Sequence, residues 1–329
     1  MSKYNENIFS SDESSDEDFN EIKFQDEDEP ENEPIIKNPT QNIPKVKPNL
    51  LVGNRTLTDY ILIDAKKYSF KNWKECFPDN NVKLRSLIFN PAWNEFFDSI
   101  ENRKYFNVLE EDLSNCLKSG KNIVPYPELL FNIFNVISPK KIKVVIIGQD
   151  PYIAQCIPGV PQAMGLSFSV PMNCEIPPSL KNIYKNLLDF KNIVSIPDHG
   201  CLASWVVQGC FLFNAALTTI LKISNAHKKL WENFAKDLLK YITDKYQNLV
   251  FIVWGKFAHE MCQNIDPEKH CIITSSHPSP LAKLPFGGTT YGKNKKYTKY
   301  PLFKDVNHFG IANKYLKSHG KGEILWDVL

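Results

Sequence analysis

The run Lys143-Val144-Val145-Ile146-Ile147-Gly148-Gln149-Asp150-Pro151-Tyr152 constrains this chain most. Its four uninterrupted apolar residues suit a strand covered on both faces, as in a parallel sheet. Gly148 and Pro151 end the strand, so a carboxylate and a phenol leave its carboxyl end together. Ligands of open α/β sheets bind at that end, which makes Asp150 the first candidate catalytic residue.

Three later runs have the same character: Cys210 to Phe213, Leu249 to Trp254 and Cys271 to Ile273. Helical patterns at 179–190, 201–208, 230–245 and 256–264 lie among them. The alternation predicts an α/β fold: a single domain with a central four-stranded, mostly parallel sheet flanked by helices on both faces. Residues 55–135, with apolar clusters broken by Pro78 and Pro91, read as mainly helical cover. No repeat of fixed period is present, which argues against a solenoid.

The strand exits are polar. The first leads into Gln149-Asp150-Pro151-Tyr152, the second into Asn214, the third into Gly255-Lys256 and the fourth into Ser275-Ser276-His277-Pro278-Ser279-Pro280-Leu281. A carboxylate, an amide and an imidazole around one cleft can activate water, recognise a polar heterocycle and stabilise developing negative charge, so hydrolysis is the natural reaction class. Taken singly, Asp150-Pro151 also suits a turn, Asn214 a bond to loop backbone and His277 a core histidine. A serine hydrolase fits poorly, because Gly165-Leu166-Ser167-Phe168-Ser169 lacks the second glycine of a nucleophile elbow. Walker and Gly-x-Gly-x-x-Gly phosphate loops are absent from the sequence.

A formal net charge of +2 conceals an asymmetry. Residues 1–34 hold 13 acidic residues against Lys3 and Lys23, and the remainder carries 37 basic and 24 acidic residues. A basic body suits a polyanionic partner. The acidic, proline-punctuated segment 1–49 reads as a disordered tail and linker, either solubilising or partner-binding, and the folded body is expected to start near residue 50. Eight cysteines without a Cys-x-x-Cys pair predict reduced, mostly structural thiols, with neither a zinc site nor an iron–sulfur cluster expected. No apolar stretch has the length of a membrane helix and the N-terminus lacks a secretory layout, so a soluble protein of the cytosol or nucleus is expected.

Gly148-Gln149-Asp150-Pro151-Tyr152 and His277-Pro278-Ser279-Pro280-Leu281 together resemble the two signature loops of family 1 uracil-DNA glycosylases. The resemblance continues in order through Gly165 to Val170, Pro177-Pro178-Ser179-Leu180, Leu212 to Ala215, Ala226-His227-Lys228 and Trp254-Gly255. It runs from Ala92-Trp93 to Ile324-Leu325-Trp326, essentially the whole folded body.

The resemblance implies hydrolysis of the bond between uracil and deoxyribose in single- or double-stranded DNA, as the first step of base-excision repair by a monomeric enzyme, with no metal or organic cofactor. The nucleotide must be extruded into a pocket, at a cost of a few kcal/mol of unstacking. Asp150 and His277 are then the catalytic residues, the first activating water and the second donating to uracil O2. Gln149, Tyr152, Phe168 and Asn214 are implied to hold the base. Asn214 would pair with N3–H and O4, Phe168 would stack or simply belong to the core, and Tyr152 would fill the space of thymine's methyl group. Ser179, His227, Lys228, Lys256 and Ser279 are implied to contact DNA, and Leu281 to wedge into the duplex.

The chain departs from the family pattern in three places. Ile153 stands where a histidine usually follows the tyrosine, and extra residues run through Cys156 and Gly159. Lys256 replaces a common serine. A segment with Phe286-Gly287-Gly288, Tyr291, Lys293, Lys295, Lys296, Tyr297 and Lys299 enlarges the region after Leu281, as added DNA contact or as a solvated loop. These departures and the tail leave a second reading open: a DNA-binding replication-accessory protein with weak or secondary catalysis, recruiting a replication or repair protein through residues 1–49.

Overall fold

The computed structural model describes residues 57–328. The disorder expected for residues 1–49 and the boundary near residue 50 lie outside that range. Four strands form the central sheet: β1 (Val144–Gly148), β2 (Cys210–Asn214), β3 (Val250–Trp254) and β4 (Cys271–Ser275). Their order is β2-β1-β3-β4, and all three pairings are parallel.

Every residue of β1 and β3 is buried. Side chains alternate between the faces of a strand, so such burial requires cover on both. The β-branched run Val144 to Ile147 fits this setting, each buried side chain contributing about 1.5–3 kcal/mol by leaving water. The cover includes α1 (Lys104–Lys118), α2 (Pro178–Asp189), α3 (Ala203–Gln208), α4 (Lys228–Lys245), α5 (Gly255–Met261) and α6 (His308–Ser318). In α4, Trp231, Phe234, Ala235, Leu238, Leu239 and Ile242 form one buried stripe at helical spacing. Phe234 joins Phe96, Phe97, Phe131 and Phe134 in an aromatic core.

Register sets where chemistry gathers. Gly148 lies opposite Asn214, and Trp254 lies opposite Ser275, so the polar exits emerge side by side at one edge.

The N-terminal cover is less regular than its apolar clusters suggest. Short helices and 3-10 turns precede α1, with Pro91 opening the turn Pro91–Trp93. The two-residue strand Ile123–Val124 pairs antiparallel with Thr219–Ile220, too short an element to leave a periodic signal.

The expectation of reduced thiols fails at one pair: Cys156 and Cys174 form a disulfide with Cα atoms 4.8 Å apart. Cys156 rides on the small hairpin formed by Gln155–Ile157 and Val160–Pro161, and folding carries it onto Cys174, 18 positions away. No local motif announces a pair joined across such a distance. The other six cysteines are free.

The enlarged segment after Leu281 is a hairpin in which Phe286–Thr289 pairs with Tyr297–Tyr300. His259 on α5 packs against Phe286, Tyr291 and Tyr300 beneath it. Its return end is pinned where Ser276 N–H donates to Pro301 O at 2.8 Å. Lys283, Lys293, Lys295, Lys296 and Lys299 remain exposed.

Candidate active site

At the end of β1 the chain turns out of the sheet and exposes Gln149 and Asp150 to a tight loop, residues 219–226. Asp150 Oδ2 accepts from the backbone N–H of Asn225 at 2.6 Å and from the Ser224 hydroxyl at 3.3 Å. Its Oδ1 is buried without a hydrogen-bond partner. Burial raises the carboxyl's pKa above the ordinary range, and the bonds from Asn225 and Ser224 oppose that rise. Gln149 Nε2 donates to Asn225 Oδ1 at 2.6 Å.

Asn214 ends β2 beside Gly148. A Cβ at Gly148 would collide with Asn214 Oδ1 and lie 2.9 Å from Ser167 Cβ, so only glycine lets the amide pass over β1. Phe168 has φ of +62°, a conformation that costs an aromatic residue about 1–3 kcal/mol. Its surroundings hold it there. The Tyr152 hydroxyl donates to its carbonyl at 3.3 Å, and Trp254 meets its ring edge-on at 5.2 Å. Phe168 therefore combines both readings taken from the sequence: it packs against the core and also lines the cavity. Burial raises the Tyr152 pKa and keeps the phenol protonated.

His277 follows β4 and faces the end of β3. Gly255 has φ of +84°, and a Cβ there would stand 3.1 Å from His277 Cβ, so the glycine admits the histidine loop. Ser279 N–H donates to His277 Nδ1 at 3.0 Å. Burial lowers the imidazole pKa to about 4, which makes the ring neutral at neutral pH. Leu281 is 89% exposed.

These groups meet in one cavity of about 510 Å³, lined by Gln149, Asp150, Tyr152, Phe168, Asn214 and His277, with Ser179, Ser279 and Leu281 at its border. Ser179 lies in the first turn of the 12-residue α2, where unpaired backbone N–H groups favour an anion. The cavity thus offers a buried carboxylate, a neutral imidazole donor and an amide with both donor and acceptor capacity.

Three sequence candidates lie outside it. Lys228 and Lys256 are exposed, the first with its ammonium 4.7 Å from the Phe257 ring centroid and the second 3.9 Å from Glu260. His227 is buried, with Nδ1 2.9 Å from the Thr218 hydroxyl and Nε2 3.6 Å from Cys116 Sγ. The expectation that His227 contacts DNA is corrected: its ring points into the protein and braces the loop before α4. Sequence reasoning missed Ser224 and Asn225, as well as the cavity wall formed by Ala163, Met164 and Leu166. A Ser-Asn pair just before the Ala226-His227-Lys228 match was the available signal.

Residues 134–303 match the family model of the uracil DNA glycosylase superfamily. A probable uracil-DNA glycosylase of Acanthamoeba polyphaga mimivirus is 54% identical over 287 residues, covering 87% of this chain and 78% of that protein. The chain belongs to the uracil DNA glycosylase superfamily. The uracil-DNA glycosylase of Campylobacter hominis is 40% identical over 249 residues, covering 75% of this chain and 96% of the relative. The crystal structure of mimivirus uracil-DNA glycosylase superposes with a TM-score of 0.81 at 54% identity, covering 84% of this chain and 100% of that one. The superfamily fold thus includes all four strands and the whole cavity.

Proposed function

We propose that this protein is a uracil-DNA glycosylase that flips uracil out of DNA, hydrolyses its N-glycosidic bond and leaves an abasic site for base-excision repair. The observation that carries the reading is the convergence of Asp150, Asn214 and His277 on one cavity in a chain of this superfamily.

In the proposed reaction the bond between C1′ and N1 breaks and its electron pair leaves with uracil. Negative charge then gathers on O2, where the neutral His277 donates from Nε2. Asp150 stabilises the cationic sugar and takes a proton from the water that adds to C1′. Asn214 accepts from uracil N3–H and donates to O4, and cytosine presents the opposite pattern at its 4-position. Phe168 stacks on the base, while Tyr152 occupies the place of thymine's methyl group.

Ser179 and Ser279 hold phosphates, Lys228 and Lys256 add cationic contacts at the rim, and Leu281 fills the space left by the flipped base. The lysines of the 286–300 hairpin extend this basic surface. Residues 1–49 form a tail that recruits a replication or repair protein, and the enzyme works as a monomer where DNA is replicated, in nucleus or cytoplasm. Among the described residues no helix is long and apolar enough to cross a membrane.

Incubation with a uracil-containing oligonucleotide should release free uracil and leave alkali-labile sites. Folded protein that left such DNA intact would overturn the proposal. Pull-downs with and without residues 1–49 test the tail, and equal partner recovery would remove its role.

A further inference from the structure

Asn225 stands at the meeting point of two cavity residues. Its backbone N–H donates to Asp150 Oδ2 and its side-chain Oδ1 accepts from Gln149 Nε2, both at 2.6 Å. Its own Nδ2 donates to Ser224 Oγ at 2.9 Å, and that hydroxyl donates in turn to Asp150 Oδ2 at 3.3 Å. One residue therefore touches the carboxylate directly and through a neighbour, and touches the adjacent amide as well.

The backbone makes this possible. Asn225 has φ of +60° and Lys222, three residues earlier, φ of +67°, so the loop turns twice through the left-handed region that asparagine tolerates better than most residues. Thr219 Oγ1 donates to Ile223 O at 2.7 Å and accepts from Ala226 N–H at 3.3 Å, bracing the turn from within. Lys222 N–H donates to Ile153 O at 2.9 Å, fastening the same loop to the segment that follows Asp150. Loop 219–226 is a clamp with contacts to Gln149, Asp150 and Ile153.

On the glycosylase reading given above, we propose that Asn225 is the positioning residue that fixes Asp150 and Gln149 relative to each other. Its N–H and the Ser224 hydroxyl both engage Oδ2, which fixes the rotation of the carboxylate. Its side chain fixes which way the Gln149 amide faces. Other titratable groups near Asp150 are His277 and Tyr152, which line the same cavity, and Lys222 on the clamp; none of them hydrogen-bonds its carboxylate among the described residues. The N–H of Asn225 is thus the strongest influence holding the carboxylate ionised against burial.

Two substitutions separate the backbone role from the side-chain role. Asn225→Gly keeps the left-handed turn and its N–H but frees Gln149: KM should rise several-fold while the acid limb of kcat and the carboxyl-13C titration of Asp150 stay in place. Asn225→Val disfavours the positive φ and turns the N–H away, so kcat should fall on the order of tenfold and the Asp150 titration should move to higher pH. Asn225→Ala gives the same direction more mildly if the valine variant does not fold. An unmoved Asp150 titration in the folded valine or alanine variant, or a glycine variant that shifts it equally, would overturn the proposal. Uracil release by the unsubstituted protein is measured first; its failure would sink the glycosylase reading, while the carboxyl titration would still test the clamp.

Discussion

The backbone N–H of Ser279 donates to Nδ1 of His277 at 3.0 Å. A neutral imidazole has one donor and one acceptor, so this bond assigns the ring proton to Nε2. The same two-residue step that turns the loop thus leaves the catalytic nitrogen armed as a donor without a positive charge.

Imidazole 15N spectra at pH 7 should therefore show His277 neutral with its proton on Nε2, charging only near pH 4. His277→Ala should lower kcat by about 10²–10³-fold, the usual loss for one donor to a developing anion. An imidazolium signal at neutral pH would refute the assignment.

Asp150 must be ionised to take a proton from water, and burial raises its pKa. The acid limb of kcat should consequently lie above the ordinary carboxylate range and move little with salt. Asp150→Asn should cost about 10²–10⁴-fold in kcat, as for loss of a general base. A pH–rate profile with its limb at or below an ordinary aspartate's pKa would count against it.

Tyr152 and Asn214 divide base selection between shape and hydrogen bonding. Tyr152→Ala should admit thymine and Asn214→Asp should admit cytosine, each with reduced uracil release. Profiling base release from matched oligonucleotides checks this, and unchanged selectivity in both variants would remove the assignments.

Leu281 is 89% exposed, so its truncation should hardly disturb the fold. Leu281→Ala should lower kcat/KM on duplex DNA by about tenfold, in line with losing part of the few kcal/mol that offset unstacking, and spare single strands. Equal loss on both substrates would point away from a wedge.

His227, His277 and His308 are all held below the ordinary histidine range by burial, the first two to about 4 and the third to about 3. The unfolded chain binds protons at these sites below about pH 6.5 while the folded chain does not, so stability should fall as pH drops from about 6.5 to 4. The disulfide should act independently of pH: Cys156→Ser, or dithiothreitol, should cost about 3 kcal/mol by freeing a loop of this length in the unfolded state. Thermal melts across pH, with and without reductant, test both. A flat pH profile or an unmoved reduced melt would contradict the corresponding claim.

The sequence by itself determined the strands, the order of their exits and the family signatures. Unbroken apolar runs such as Val144 to Ile147 leave few alternatives to a doubly covered strand, and Asp150, Asn214 and His277 follow three of those runs within a few residues. Tertiary structure decided everything that depends on direction or on distant approach. His227 sits beside Lys228 in sequence yet points inward while the lysine points out, because a buried ring and an exposed ammonium have opposite hydration needs. Cys156 and Cys174 meet only because the inserted hairpin folds back. Asn225 gains its importance from a positive φ that aims a backbone N–H, which no residue name specifies. Local pattern encodes burial, whereas the vectors that join Asn225 to Asp150 and Ser279 to His277 exist only once the packed core fixes each loop relative to the others.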